Sequence, residues 1–191
     1  MSLYNSCERL TGWIKEIASH DSFYDIGGDP DHLPAFKYAE DSVMETVLAE
    51  RMTLIDSTDK SEVQLLMENI SEGRVVLPKS HIKADMRTAL CVEPKSAVFI
   101  KGALCWFDTD QAFKNILSMT KPGGLILLWD ARSITRKFLQ FCRGLKVIDE
   151  HTYPYCSVCG ERTQMDCHVI GDCGHWDHYS YVVAMKEAPN A

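Results

Sequence analysis

Three aspartates stand where a bound ligand could meet them. Asp25 lies near the end of the run Phe23-Tyr24-Asp25-Ile26, directly before Gly27 and Gly28; Asp56 follows Thr53-Leu54-Ile55; Asp85 stands alone among Lys83, Ala84 and Met86. A carboxylate at such a point can accept hydrogen bonds from hydroxyl or amino groups and attract a cation. Gly27 and Gly28 have no Cβ, so backbone and ligand can approach closely. A pyrophosphate-bearing dinucleotide calls for a G-x-G-x-x-G turn opening onto a helix N-terminus. Here Asp29 and Asp31 flank Pro30 where a pyrophosphate would sit, and they would repel it; there is no P-loop pattern either. The spacing therefore favours a nucleoside-bearing ligand that is neutral or cationic near the turn and carries no phosphate there. S-adenosylmethionine, with an ammonium, a sulfonium and an adenosine, has that make-up. Asp25, Gly27 and Gly28 are expected at its methionine end, Asp56 at the ribose hydroxyls, and Asp85 with Met86 at the adenine.

A second cluster has different chemistry. Cys156, Cys159, Cys167 and Cys173 crowd into 18 residues with His168, His175 and His178 nearby. Cys156-x-x-Cys159-Gly is a tight knuckle that presents two thiolates to one cation, and a closed tetrahedral zinc site needs four ligands. Cys167 and Cys173 complete the expected set, with His175 as the alternate fourth ligand. Four protein ligands leave no open position, so the expected Zn2+ is structural. The other cysteines (Cys7, Cys91, Cys105, Cys142) are scattered. This usage indicates a reducing, cytoplasmic setting rather than a disulfide scaffold.

The elements that must position these residues follow from periodicity. Leu10, Trp13, Ile14 and Ile17 form a helical stripe within 1–20. Strands are expected at 22–26, 52–55, 74–77, 97–100, 125–129, 146–148 and 179–185. Helices are expected after the glycine turn (Leu33, Phe36, Val43, Met44, Val47, Leu48), from the capping box Ser61-x-x-Gln64, and over 109–119 and 133–142. Leu125 to Trp129 is apolar throughout, as a strand covered on both faces should be, and Lys121-Pro122-Gly123-Gly124 reads as the turn before it. Alternating strands and helices predict an α/β fold with a mostly parallel seven-stranded sheet and helices on both faces. No helix separates the last two strands, so they should pair antiparallel, with the cysteine cluster (about 154–178) inserted between them. The 191 residues fit one domain, 1–191; the net charge of −7 gives no global attraction to nucleic acid, and no apolar run is long enough to span a membrane. MSLYNSCERL lacks the pattern of a signal peptide.

The ordered segments DIGG, LIDST, KADM, GALCWFD and NILSMTKPGGLILL together resemble a class I S-adenosylmethionine-dependent methyltransferase, over about residues 20 to 185. Within that superfamily, Ala103-Leu104-Cys105-Trp106 before a helix and a KPGG turn is similar to the Ala-Leu-His-Tyr segment of viral mRNA cap guanine-N7 methyltransferases. Cys and Trp replace His and Tyr, and the glycines are adjacent where many members have G-x-G. The resemblance implies the Rossmann-like methyltransferase fold, Ala103 at the cofactor, capped RNA as substrate, viral replication proteins as partners and a host-cytoplasmic location. Some of those enzymes also carry a zinc site near the C-terminus.

For the acceptor side, Arg132, Arg136, Lys137, Arg143 and Lys146 form a basic run with no acid between Ala131 and Ile148, suited to RNA phosphates. Trp106, Phe107 and Tyr153 could stack a base, and Asp130 closes the fifth strand. The substrate-binding set is thus Trp106, Phe107, Asp130, Arg132, Arg136, Lys137 and Tyr153. Guanine N7 has its own lone pair, so no catalytic base is assigned. A ribose 2′-O acceptor would need a Lys-Asp-Lys-Glu constellation; Lys101, Asp108 and Glu150 could supply parts of it. A small-molecule methyltransferase and a non-catalytic zinc-bearing interaction domain are further alternatives.

Overall fold

A computed structural model describes residues 8–27, 50–57, 78–156 and 176–188. Along the chain run α1 (Glu8–Ser19), β1 (Phe23–Ile26), β2 (Met52–Asp56), β3 (Ser80–Lys83), β4 (Lys95–Lys101), a 3-10 turn (Leu104–Trp106), α2 (Asp110–Met119), β5 (Thr120–Ala131), α3 (Arg132–Phe141), β6 (Leu145–Cys156) and β7 (Trp176–Lys186). They build one seven-stranded sheet in the order β3-β2-β1-β4-β5-β7-β6. The first five strands are parallel, and β7 lies antiparallel between β5 and β6. The strand order reverses between β1 and β4, and in open α/β sheets the crevice beyond the strand ends at such a reversal is where ligands bind.

Alternation along the strands sorts side chains to two faces. Tyr24, Ile26, Val98, Ile100, Ile126 and Leu128 pack with Phe113 and Ile116 of α2 and Phe138 of α3 in one buried cluster. Phe113 meets Phe138 edge-on at 5.4 Å between ring centroids, which locks the two helices together. Thr109 caps α2, its side chain accepting from the Ala112 amide at 3.2 Å. On α1, Leu10, Ile14 and Ile17 are buried as the stripe requires, while Trp13 Nε1 donates to Asp149 of β6 at 2.8 Å. Tyr181 donates to the same carboxylate at 3.0 Å, and Arg9 also bonds it. Those bonds hold Asp149 below the usual carboxylate range, against the opposing effect of its burial.

The third described strand is Ser80–Lys83, and the expected strand at 74–77 lies outside the described residues. Two expectations need correction. The KPGG segment is an irregularity inside β5 rather than a turn before it. The β4 partnering jumps from Lys95↔Thr120 to Ala97↔Leu125, and Gly123 adopts φ +76 there. A Cβ on Gly124 would come 2.8 Å from the Ser96 carbonyl oxygen, so the strands can close up only with glycine at that point. Lastly, β6 runs far past the expected 146–148, with a bulge between Val147 and Asp149. The helices expected over 33–48 and from Ser61 fall outside the described residues. Among the described residues, no helix is long and apolar enough to cross a membrane.

Candidate cofactor and acceptor site

The tip of β1 carries the most perturbed acid. Asp25 stands opposite Phe99 of β4 and Leu54 of β2, in the middle of the sheet, and is only 3% exposed. Burial pushes its carboxyl up to about 7; Lys101 pulls it down and Asp56 pushes it further up. Lys101 lies two residues beyond Phe99, hence on Asp25's face of the sheet, and its Nζ sits 5.3 Å from the Trp129 ring centroid. Just past the strand, the Gly27 amide donates to the Ile55 carbonyl at 2.8 Å. Gly27 takes φ +64, and a Cβ on it would lie 2.5 Å from the Cβ of Ala103 and 3.2 Å from the Phe107 ring. Glycine is required here on both counts. The close approach brings Ala103 and Phe107 against the β1 turn, so a residue expected at the cofactor and one expected at the substrate share one wall. Gly28 lies outside the described residues.

Asp56 ends β2, and its carbonyl accepts from the Ala84 amide at 2.8 Å, which ties the loop after β3 to the β2 tip. That loop holds Asp85 and Met86. Asp85 is gripped by Arg87: Oδ1 accepts from the Arg87 amide at 2.9 Å, and Oδ2 from Nη2 at 2.8 Å. These bonds hold its carboxyl below the usual carboxylate range. An adenine amino group would have to share Asp85 with Arg87. Met86 is buried in the α2-side core, and its carbonyl accepts from Asn115 Nδ2 at 2.9 Å. Asn115 also donates to the Thr88 carbonyl at 2.7 Å and accepts from the Leu90 amide at 3.2 Å. This buried asparagine on α2 is what positions the loop. In sequence it is one polar residue on an amphipathic helix, with no local mark of that task.

On the acceptor side the structure gives Asp130 a different task from the expected contact with substrate. It is fully buried, and Oδ2 accepts from the Leu104 and Cys105 amides at 3.0 and 3.4 Å, while Oδ1 accepts from the Ala131 amide at 2.7 Å. Burial raises its carboxyl and these amides oppose the rise. Asp130 is thus the anchor of the 3-10 turn. The turn in turn presents Trp106, which is 81% exposed. Burial first, then the Asp130 charge, raises the Cys105 thiol, which argues against a nucleophilic thiolate beside the site. The basic run places Arg132, Arg136 and Lys137 on α3, Arg143 in the following turn and Lys146 at the start of β6. Lys137 is paired with Asp108 at 2.8 Å, Arg136 is exposed, and Arg132 is half-buried in the first turn. Tyr153 pairs with Tyr179 in the β6–β7 ladder, and its side chain is outside the described residues.

For the metal, Cys156 ends β6, and Cys159, Cys167, Cys173 and His175 lie outside the described residues. Among the described residues, no group of three or more His, Cys, Asp or Glu side chains is placed to hold a metal ion.

No family model and no curated protein matches the sequence. Solved structures do share the architecture. A SAM-dependent methyltransferase from Methanosarcina mazei superposes with a TM-score of 0.60 at 10% identity, over 93% of this chain and 98% of that one. The N-methyltransferase NodS from Bradyrhizobium japonicum, in complex with S-adenosyl-L-homocysteine, does so at 0.58 and 14%, over 94% and 87%. The 16S rRNA (adenine(1408)-N(1))-methyltransferase D21A mutant from Catenulisporales acidiphilia gives 0.52 and 13%, over 94% of each chain. The fold of this chain is the α/β Rossmann-like methyltransferase fold.

Proposed function

We propose that this chain transfers a methyl group from S-adenosylmethionine to RNA, at guanine N7 of the mRNA cap. The observation that carries the cofactor half is Asp25: a buried carboxyl at the β1 tip, at the strand reversal, beside a glycine turn packed too closely against Ala103 and Phe107 to admit a side chain. The donor set fits this cofactor. Asp25 and Asp56 are carboxylates on adjacent strand tips, suited to an ammonium and to ribose hydroxyls, and repellent to phosphate. Gly27 and Ala103 form the wall, Gly28 is the further glycine expected at the methionine end, and Asp85 with Met86 is expected at the adenine end. Bound there, the cofactor supplies a methyl group on a sulfonium. A cationic ligand favours the ionised form of Asp25, so affinity should strengthen as pH rises through about 7.

The acceptor half rests on the likeness of Ala103 to Trp106 to the cap-enzyme segment, and on the exposed Trp106 held by a buried anchor. Trp106 offers a stacking surface for a purine. Arg136, Arg132 and Lys137 on α3 offer phosphate contacts, and Phe107 and Tyr153 complete the expected lining. N7 brings its own lone pair, so the protein's part is alignment and electrostatics. The test supplies labelled S-adenosylmethionine with GpppA-capped, N7-methylated capped and uncapped RNA. Transfer to the first alone supports the proposal; transfer to the N7-methylated cap would move the acceptor to the ribose 2′-hydroxyl, and transfer to none of them would remove capped RNA as the substrate.

We also assign a structural Zn2+ to Cys156, Cys159, Cys167 and Cys173, with His175 as the alternate. The Cys-x-x-Cys spacing supports it. So does the pairing of Cys156 with Trp176, which brings the two ends of the 157–175 connection side by side. Metal analysis should find one zinc per chain, and Cys156→Ala should lower the melting temperature, since structural zinc contributes folding free energy. A metal-free native chain with an unchanged Cys156→Ala melt would contradict this.

A further inference from the structure

Among the described residues, Lys101 at the β4 tip is the cation that bears on Asp25, and binding of the cofactor as proposed gives it no role. Its position follows from the register. Asp25 pairs with Phe99, Ile26 with Ile100, and Lys101 with Trp129 on the other flank. Lys101 is therefore diagonal to Asp25 on one face of adjacent parallel strands, a separation that a long side chain spans. Its ammonium lies over the Trp129 ring, 5.3 Å from the centroid. Trp129 is almost wholly buried and Lys101 is half-buried, so the ammonium sits on an aromatic face with part of its solvation removed. The charged groups that bear on Asp25 among the described residues are Lys101 of β4 and Asp56 of β2. From α1, the helix on this region's flank, Leu10, Ile14 and Ile17 are buried and apolar.

We propose that Lys101 is the resident counter-cation of Asp25, and that the cationic methionine end of the cofactor takes its place by ion exchange when it binds. The exchange rests on the S-adenosylmethionine reading of the site. It explains how a chain can keep so buried a carboxyl in its core: Lys101 lowers the cost of ionising Asp25, and it leaves a charge there for the cofactor to claim. The same lysine then opposes the incoming ammonium, so it trades affinity for readiness at neutral pH. No covalent step is involved, and the swap is of one ammonium for another at one carboxylate.

Removing the lysine has opposite effects at two pH values. At pH 9 Asp25 is ionised with or without Lys101, so Lys101→Met should tighten S-adenosylmethionine binding roughly 3- to 10-fold by removing the competitor. Near pH 7 the variant's Asp25 is more protonated, so the pH of half-maximal affinity should rise by about half to one unit. Lys101→Arg keeps the charge and should follow the native profile. The experiment is calorimetric titration of native, Lys101→Met and Lys101→Arg protein with S-adenosylmethionine from pH 6 to 9. Far-ultraviolet circular dichroism and a thermal melt show that each variant is folded. If Lys101→Met misfolds, Lys101→Gln takes its place with the same expectation. Unchanged or weaker binding at pH 9, or an unmoved pH profile, in a chain whose native form binds, overturns the exchange and leaves the cofactor reading standing. A native chain that binds at no pH overturns the cofactor reading and the exchange with it.

Discussion

Asp25 and Asp130 are both buried acids near the tips of neighbouring-but-one strands, and their surroundings divide them. Asp130 has three backbone amides within 2.7 to 3.4 Å, so its lone pairs are used and its charge is balanced by local dipoles. No described residue donates a hydrogen bond to the Asp25 carboxylate; it feels Lys101 and Asp56 through space, and burial lifts it to about 7. A buried acid whose bonds are filled is architecture. One left to burial and distant charge costs stability, and the return on that cost is a ligand. Burial alone does not separate the two cases, and neither does position at a strand end. The count of donors does.

Four substitutions would sharpen or break that contrast. Asp25→Asn should have the largest effect, lowering S-adenosylmethionine affinity by at least about 100-fold, because a buried charge–charge contact is lost. It should also stabilise the protein. The folded carboxyl titrates above its ordinary value, so its favourable contribution is full below about pH 4 and is lost as pH rises toward 7. Above pH 7 the native chain carries the whole penalty, and Asp25→Asn should remove up to about 4 kcal/mol of it, measured by denaturant unfolding at pH 8 against pH 5. An acid that proved structural would instead destabilise on this change.

Asp130→Ala should behave in the opposite sense, with a loss of about 2–4 kcal/mol of stability as buried amides lose their acceptor. Cofactor affinity should stay within a few-fold of native. Gly27→Ala comes next. The positive φ and the 2.5 Å approach to the Ala103 Cβ should cost about 1–3 kcal/mol and weaken cofactor binding, because the β1 turn must move away from Ala103. The smallest change in stability belongs to Trp106→Ala, within about 0.5 kcal/mol for so exposed a side chain. Its effect should appear as a raised KM for RNA with cofactor affinity intact.

How much of this was legible in the sequence depended on where each interaction closes. The β1, β2, β4 and β5 strands announce themselves as apolar runs because they sit in the middle of the sheet. β3 is Ser80-His81-Ile82-Lys83, a partly exposed edge strand with one apolar residue, so hydrophobicity carries no signal for it. β6 lies at the other edge and is interrupted by its bulge, which broke the alternation that would have extended it past Ile148. The glycine turn and its preceding acid were legible because their constraint is local: Gly27 must take φ +64 whatever surrounds it. Asp130 was not, since its partners Leu104 and Cys105 lie 26 and 25 residues earlier and only the fold brings their amides to it. The Asp85–Arg87 pair is two residues long and could have been found by asking which neighbour a solvent-exposed acid would hold. Asn115 and Lys101 needed the register.

If the acids at the strand tips select a cationic nucleoside, they should do so against nucleotides that carry phosphate. Calorimetric titration of the native chain at pH 8 with S-adenosylmethionine, and separately with NAD and ADP, tests this most directly. One saturable site for S-adenosylmethionine, with no measurable heat from either phosphate-bearing nucleotide, is the predicted result. Tighter binding of NAD or ADP than of S-adenosylmethionine would contradict it.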